Sequence, residues 1–266
     1  MFNRLSYRKA VRDIVSGLYG WRIWYLLGVT EIRKRYSRSH LGQFWLAITN
    51  AVSIAAIGFM WGFIFKIDIK EYMPFVAIGF IYWSLVAGSM NEGVDAFINS
   101  GNYMHQLTIA KSSYIYSVIL KNLIILAHNL VVLIPVFIFF PNKLGWVSLL
   151  VLPGLLLTLW GGIAIIFILA IVCLRYRDVR SLVTNVLQVS FYLTPIIWKP
   201  HLVPDRIYEL MIYNPFAVFL ALVRDPLLGN LPDQNYVFVA LMIDLILSIV
   251  ALMLFAKYRA RLAFWL

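Results

Sequence analysis

The residues of this chain that could do chemistry are few and mostly basic. Arg33-Lys34-Arg35, with Arg38 just beyond, is the densest cationic cluster. Guanidinium groups grip phosphate oxygens in pairs, so the cluster suits a phosphorylated lipid headgroup. It serves equally as a topological anchor that draws anionic lipid, at roughly 1 kcal/mol per basic residue. A second basic run, Arg175-Tyr176-Arg177-Asp178-Val179-Arg180, carries one acid. Asp178 can pair with Arg175 or with a neighbouring loop, and a structural role is expected for it.

Other reactive groups are scattered. Asp244 lies inside the apolar run 234–256 and must face protein or water, because a charge in hydrocarbon is costly. His128 and Asn129 can hydrogen-bond across helices. Together these make a poor proton or ion relay, although Asp244 keeps an ion-coupled carrier open as a reading. The single cysteine, Cys173, has no internal disulfide partner and no metal-ligand spacing around it. No Gly-Lys dipeptide occurs, so the phosphate-cradling G-x-x-x-x-G-K-[ST] loop is missing. There is no nucleophile elbow, no acid pair set for glycosyl transfer and no histidine cluster, so no metal is expected. A membrane-embedded acyl- or glycosyltransferase would have to draw on His40, Asp178, His201 or Glu209.

The elements that position these groups are set by composition. Of 266 residues, 62% are hydrophobic and 13% charged, and the mean hydropathy is +0.83. A soluble domain is about 25% charged. The solvent for this much apolar surface is lipid. Net charge is +11, but the basic residues sit between apolar runs, which indicates membrane topology rather than nucleic-acid binding. A span needs about 20 apolar residues. Six runs qualify or nearly so: 42–65, 72–91, 122–142, 144–174, 181–198 and 234–256. With the N-terminus inside, seventeen Lys and Arg fall on the cytoplasmic side and six outside, which satisfies the positive-inside rule. Both termini are then cytoplasmic.

The run 14–30 contains Arg22 and lacks a cleavage site, so it is expected to be an amphipathic helix in the inner interface. Leu18, Trp21, Tyr25 and Ile32 would form its apolar face. Residues 1–41 thus make a cytoplasmic N-terminal segment and 42–266 a six-span domain. The longest outer connection, 199–235, holds Pro200, Pro204, Pro215, Pro226 and Pro232. Breakers around short apolar runs predict two short re-entrant helices between spans five and six, bordering a pore. The predicted fold is all-α.

Aromatic residues are abundant, at 16% with nine Trp. Interfacial belts and ordinary packing account for many. Phe44, Trp45, Phe59, Tyr82, Phe191, Tyr192 and Trp198 lie deep or beside breakers, where aromatic faces could pass a sugar chain.

Two blocks carry a family resemblance. The block 31–45, Glu-Ile-Arg-Lys-Arg-Tyr-Ser-Arg-Ser-His-Leu-Gly-Gln-Phe-Trp, resembles the entry to the first span in ABC-transporter permeases for polysaccharide export. That entry follows a basic-Tyr-x-x-Ser-x-Leu-Gly-x-x-Trp pattern. Asn50 stands here where a proline is common. The second block runs from Leu174-Arg175-Tyr176-Arg177-Asp178-Val179-Arg180 through Phe191-Tyr192-Leu193-Thr194-Pro195 to Val203-Pro204, Asn214-Pro215 and Leu228-Gly229. It is similar to the same family's fourth loop, fifth span and outer gate.

The resemblance implies a homodimeric channel in the bacterial inner membrane, joined to two copies of a separate ABC ATPase that binds ATP and Mg. The implied cargo is a polysaccharide on undecaprenyl pyrophosphate or a similar lipid, with O-antigen first and teichoic acid or capsule as alternatives. It further implies that the loop 93–117 carries a coupling helix against the ATPase, with Asn99, Ser100, Gly101, Asn102, Tyr103, Met104, His105 and Gln106 in the contact. The N-terminal helix would touch the ATPase too, and residues 200–230 would close the outer end.

Overall fold

A computed structural model of the chain describes residues 4–37, 42, 44–106, 108–141, 145–200 and 204–266. The described residues form helices and no strands. In order they are α1 (Arg4–Tyr19), α2 (Trp21–Tyr36), α3 (Phe44–Phe65), α4 (Ile69–Gly93), α5 (Gly101–Gln106), α6 (Ser112–Leu130), α7 (Leu133–Phe139), α8 (Val151–Arg175), α9 (Val179–Leu193), α10 (Asp205–Leu210), α11 (Pro215–Leu227), α12 (Gln234–Tyr258) and α13 (Leu262–Trp265).

Among the described residues, five stretches are long and apolar enough to cross a membrane: Phe44–Ile64, Ile69–Gly93, Ser112–Phe139, Trp146–Arg175 and Gln234–Trp265. The expected fifth span is shorter than its charge-free run. α9 has 15 residues, about 22 Å at 1.5 Å per residue. Pro195 ends it: Thr194 adopts extended backbone, as a residue before proline prefers.

α4 is the central helix. It packs against α3, α6, α7, α8, α9 and α11, and 61% of its apolar window is buried, against 22% for α3. α8 and α12 pair along their lengths, with α11 lodged against both and against α4. α11 is short but buried from Ala217 to Arg224, so its backbone lies among longer helices rather than over them. Asn214 starts it by accepting hydrogen bonds from the Phe216 and Ala217 amides at 3.0 and 3.4 Å, with Pro215 at the first helical position, where a missing N–H costs nothing. Two short helices, α10 and α11, thus occupy the proline-rich stretch.

Two expectations need correction. The N-terminal segment is two helices, broken at Gly20, rather than one over 14–30. Leu18, Trp21 and Tyr25 stay exposed while Ile32 enters the bundle. α1 turns a strip of Ala10, Asp13 and Gly17 inward, onto α6 and α12. The third apolar stretch begins at Ser112, ten residues before the charge-free run, because Lys121 is buried with acidic partners. A paired charge can enter a core that an unpaired one cannot. Pro135, lacking an N–H for the carbonyl four residues back, divides this stretch into α6 and α7.

Candidate functional site

Among the described residues, five ion pairs gather at one end of the bundle. Asp13 of α1 is buried there, beside the start of α6 and the end of α12. Its Oδ1 accepts the Ser112 amide at 3.0 Å, its Oδ2 accepts Arg259 Nε at 2.7 Å, and its carbonyl accepts the Ser112 hydroxyl at 2.8 Å. Gly17 is required for this approach, since a Cβ there would fall 2.0 Å from Ser112 Oγ. Lys111 donates to the Arg259 carbonyl at 2.6 Å. Burial pulls the Lys111 ammonium down, helped by the Arg259 charge and opposed by Asp13.

A second network ties α2, α4 and α6. Lys121 lies 2.7 Å from Glu31 and 3.0 Å from Glu92. Glu92 also accepts Asn122 Nδ2 at 2.9 Å and Arg35 at 2.7 Å. Burial lowers the Arg35 pKa, but Glu92 beside it more than offsets this, and the guanidinium ends above its ordinary range. Of the expected headgroup cluster, Arg35 is therefore held by Glu92, and Lys34 reaches the Tyr103 hydroxyl at 3.4 Å. Arg33 is exposed, and Arg38 lies outside the described residues, as does His40.

The expected coupling segment contains a short helix, α5. Asn99 and Gln106 are exposed and Tyr103 borders on it, while Ser100 is buried and bonds the Ala96 carbonyl at 2.7 Å. Gly101 packs on Leu266, and Met104 joins the core. The side chains of Asn102 and His105 lie outside the described residues. Beside this segment, Arg180 pairs with the largely buried Asp95 at 2.9 Å. Arg175 sits 5.3 Å from the Trp265 ring.

At the opposite end, the chain after α9 runs without helix yet is buried from Thr194 to Ile196. Its orphaned carbonyls are met by side chains. Arg224 donates to the Pro195 carbonyl at 2.5 Å, Tyr72 to the Ile197 carbonyl, and Trp198 Nε1 to the Tyr192 carbonyl at 3.0 Å. Asn214 donates to Thr194 Oγ1 at 3.3 Å, and Lys199 pairs with Glu71 at 3.1 Å. Gly79 lets this backbone lie close on α4, because a Cβ there would stand 3.2 Å from the Ile196 carbonyl oxygen. His201 lies outside the described residues, and Glu209 is exposed on α10.

The aromatic set divides. Phe44, Trp45 and Phe59 are exposed on α3, and Tyr192 on α9. Both helices flank α4. Phe191 packs between Phe80 and Trp83, and Trp198 is half-buried. Tyr82 is buried in the bundle facing Thr158, away from the exposed group.

α9 carries a pattern not noticed in the sequence. Val183 and Leu187 face the bundle. Leu182, Val186, Val189 and Leu193 form an exposed apolar stripe, and Ser181, Asn185, Gln188 and Tyr192 form an exposed polar one. Steps of four, three and four residues place each set on one helix face. The acids Asp13, Glu31 and Glu92 and the buried Arg224 were also missed. Their sequence signal is a charge beside or inside an apolar run with no obvious use.

No protein-family model matches the chain. Two proteins of Klebsiella pneumoniae named O-antigen export system permease protein RfbA are similar to it. One is 25% identical over 239 residues and the other 26% identical over 244, each alignment covering 88% of this chain and 90% of the relative. A protein of the same name from Myxococcus xanthus is 22% identical over 198 residues, covering 73% of this chain and 75% of its own. Along most of its length the chain is thus similar to O-antigen export system permeases, in agreement with the resemblance to ABC-type polysaccharide-export permeases.

Proposed function

We propose that the chain is the channel-forming subunit of an ATP-driven exporter, moving lipid-linked O-antigen-type polysaccharide outward across the bacterial inner membrane. The observation that carries this is the similarity to O-antigen export permeases over 88% of the chain. Two copies act with two copies of an ATPase that holds ATP and Mg. Both termini lie in the cytoplasm, and α9 with the non-helical segment after it makes the sixth crossing. α10 and α11 form the outer re-entrant pair.

The polar stripe on α9 supports a path beside that helix. Polar side chains exposed at membrane depth are stable beside water or a second protein, not lipid. Ser181, Asn185, Gln188 and Tyr192 would line the path, with the α3 aromatics offering faces to sugar rings. Arg33, Lys34 and Arg38 would meet the pyrophosphate at the inner end, and Arg35 would join them on leaving Glu92. α5 would dock into the ATPase, and the welded α1–α6–α12 base would pass its movement to the bundle.

The test is purification with and without the cognate ATPase. The chain alone is expected to hydrolyse no ATP, and the complex to hydrolyse it with stimulation by lipid-linked glycan. Hydrolysis by the isolated chain overturns the proposal. In cells, loss of the chain is expected to trap the complete lipid-linked O-antigen at the cytoplasmic face. Trapped teichoic acid or capsule would reassign the cargo, and an unmodified precursor would indicate a transferase.

A further inference from the structure

A partly open cavity of about 240 Å³ lies between α4, α6, α8, α11 and α12, with Tyr82, Leu85, Thr158, Gly162, Phe216 and Phe219 in its wall. The Tyr82 and Thr158 hydroxyls face each other at 3.5 Å, and Thr158 donates to the Gly154 carbonyl at 3.0 Å. Apart from Ser89, the remaining wall side chains are aliphatic, aromatic, methionine or proline, or glycine without one. The Asp244 carboxylate is not part of the wall. It lies behind Gly161, where a Cβ would stand 2.3 Å from Oδ1.

A water molecule needs two to four polar partners, and a hydrocarbon-lined cavity of about 150 Å³ in a protein core already admits benzene. This cavity is larger and its polar groups are largely turned to each other. Its wall cannot serve a sugar, whose hydroxyls would be left unpaired. The helices around it include four that are long and apolar enough to cross a membrane, so the hydrocarbon available at that depth is phospholipid. Pro215, another wall residue, is exposed, which gives the cavity a mouth beside the start of α11.

We propose that this cavity is a binding site for the terminal part of one acyl chain of a bilayer phospholipid, held among α4, α6, α8, α11 and α12. The site is independent of the glycan exported. Gly162 is the residue through which to test it, because a Cβ there meets only Ile119 Cδ1, at 3.9 Å. Leucine at 162 grows into the cavity, and alanine adds one methyl without a clash.

The full chain is reconstituted with phosphatidylglycerol carrying a photoreactive diazirine near the end of one acyl chain, and labelled residues are mapped by mass spectrometry. Label is expected on residues 158–162 and 215–219 of the unaltered chain. Gly162→Leu is expected to reduce it about tenfold, a loss equivalent to 1.4 kcal/mol of affinity. Gly162→Ala, which keeps the fold, is expected to reduce it partway. Label confined to exposed helix faces, or label at these residues unchanged in both variants, would overturn the site. Label from a diazirine-bearing polyprenyl phosphate but not from phosphatidylglycerol would overturn the phospholipid assignment.

Discussion

The Arg224 guanidinium lies 4.1 Å from the centre of the Phe75 ring while donating to the Pro195 carbonyl. One side chain of α11 thereby joins α4 to the non-helical segment after α9. Asp225 stands 3.7 Å from Arg224 Nε, too far for a hydrogen bond. The buried cation is thus held by the carbonyl, the ring and, as an ion pair without a hydrogen bond, the Asp225 carboxylate.

Arg224→Ala should destabilise the protein by about 1–3 kcal/mol, since it strands a buried carbonyl. Arg224→Lys should recover little, because an ammonium cannot stack on Phe75 while reaching Pro195 as a planar guanidinium does. Thermal unfolding in detergent reads both variants, and an unchanged melting temperature for Arg224→Ala would refute the clamp.

The Asp13–Arg259 contact joins residues 246 positions apart. Asp13→Ala should cost about 3 kcal/mol, as it leaves Arg259 and the Ser112 amide without their acceptor. Arg259→Ala should cost a comparable amount, because it leaves the buried Asp13 carboxylate without its cation. A double-mutant cycle by denaturation should give a coupling above about 0.5 kcal/mol, and simple additivity would show that the pair is not coupled.

Glu92→Gln should release Arg35 while keeping an acceptor for Asn122. Binding of anionic vesicles or inorganic pyrophosphate at the cluster should strengthen, and the gain should fade in salt as screening rises. Lys121→Met should destabilise by about 3 kcal/mol, since it leaves Glu31 without its cation and Glu92 with Arg35 and Asn122 alone. Equal pyrophosphate affinity in Glu92→Gln would argue against Arg35 as a latent anion contact.

Glycine packing offers a contrast within one helix. A Cβ at Gly154 would fall 2.3 Å from the Leu222 carbonyl oxygen, whereas one at Gly162 has room. Gly154→Ala should cost about 1–3 kcal/mol by pushing α11 off α8. Gly162→Ala should melt close to the unaltered protein, and a reversed order would contradict the α8–α11 contact.

The two exposed stripes of α9 can be told apart by thiol labelling. Cys173 is buried and should stay silent. Asn185→Cys and Gln188→Cys should react with a charged, membrane-impermeant thiol reagent in open vesicles, and Val186→Cys and Val189→Cys should not. Equal labelling of both stripes would remove the aqueous path from this helix.

Much of this protein is legible in its sequence alone. Composition alone places it in lipid, because no aqueous fold hides 62% hydrophobic residues. Charge-free runs locate the five long apolar stretches to within a few residues wherever a charge ends the helix, as at Arg175. The motif blocks at 31–45 and 174–229 point to the same kind of protein as the similarity over 88% of the chain. What tertiary structure decided is where charges go. Lys121 reads as an end to a span until Glu31 and Glu92, distant in sequence, neutralise it inside one. Arg224 reads as an outer charge until Pro195 and Phe75 enclose it. The N-terminal segment divides at Gly20, and its first helix is held by Asp13 bonding Ser112 and Arg259, far along the chain. Burying an ion depends on partners tens to hundreds of residues away, and only the packed bundle specifies those.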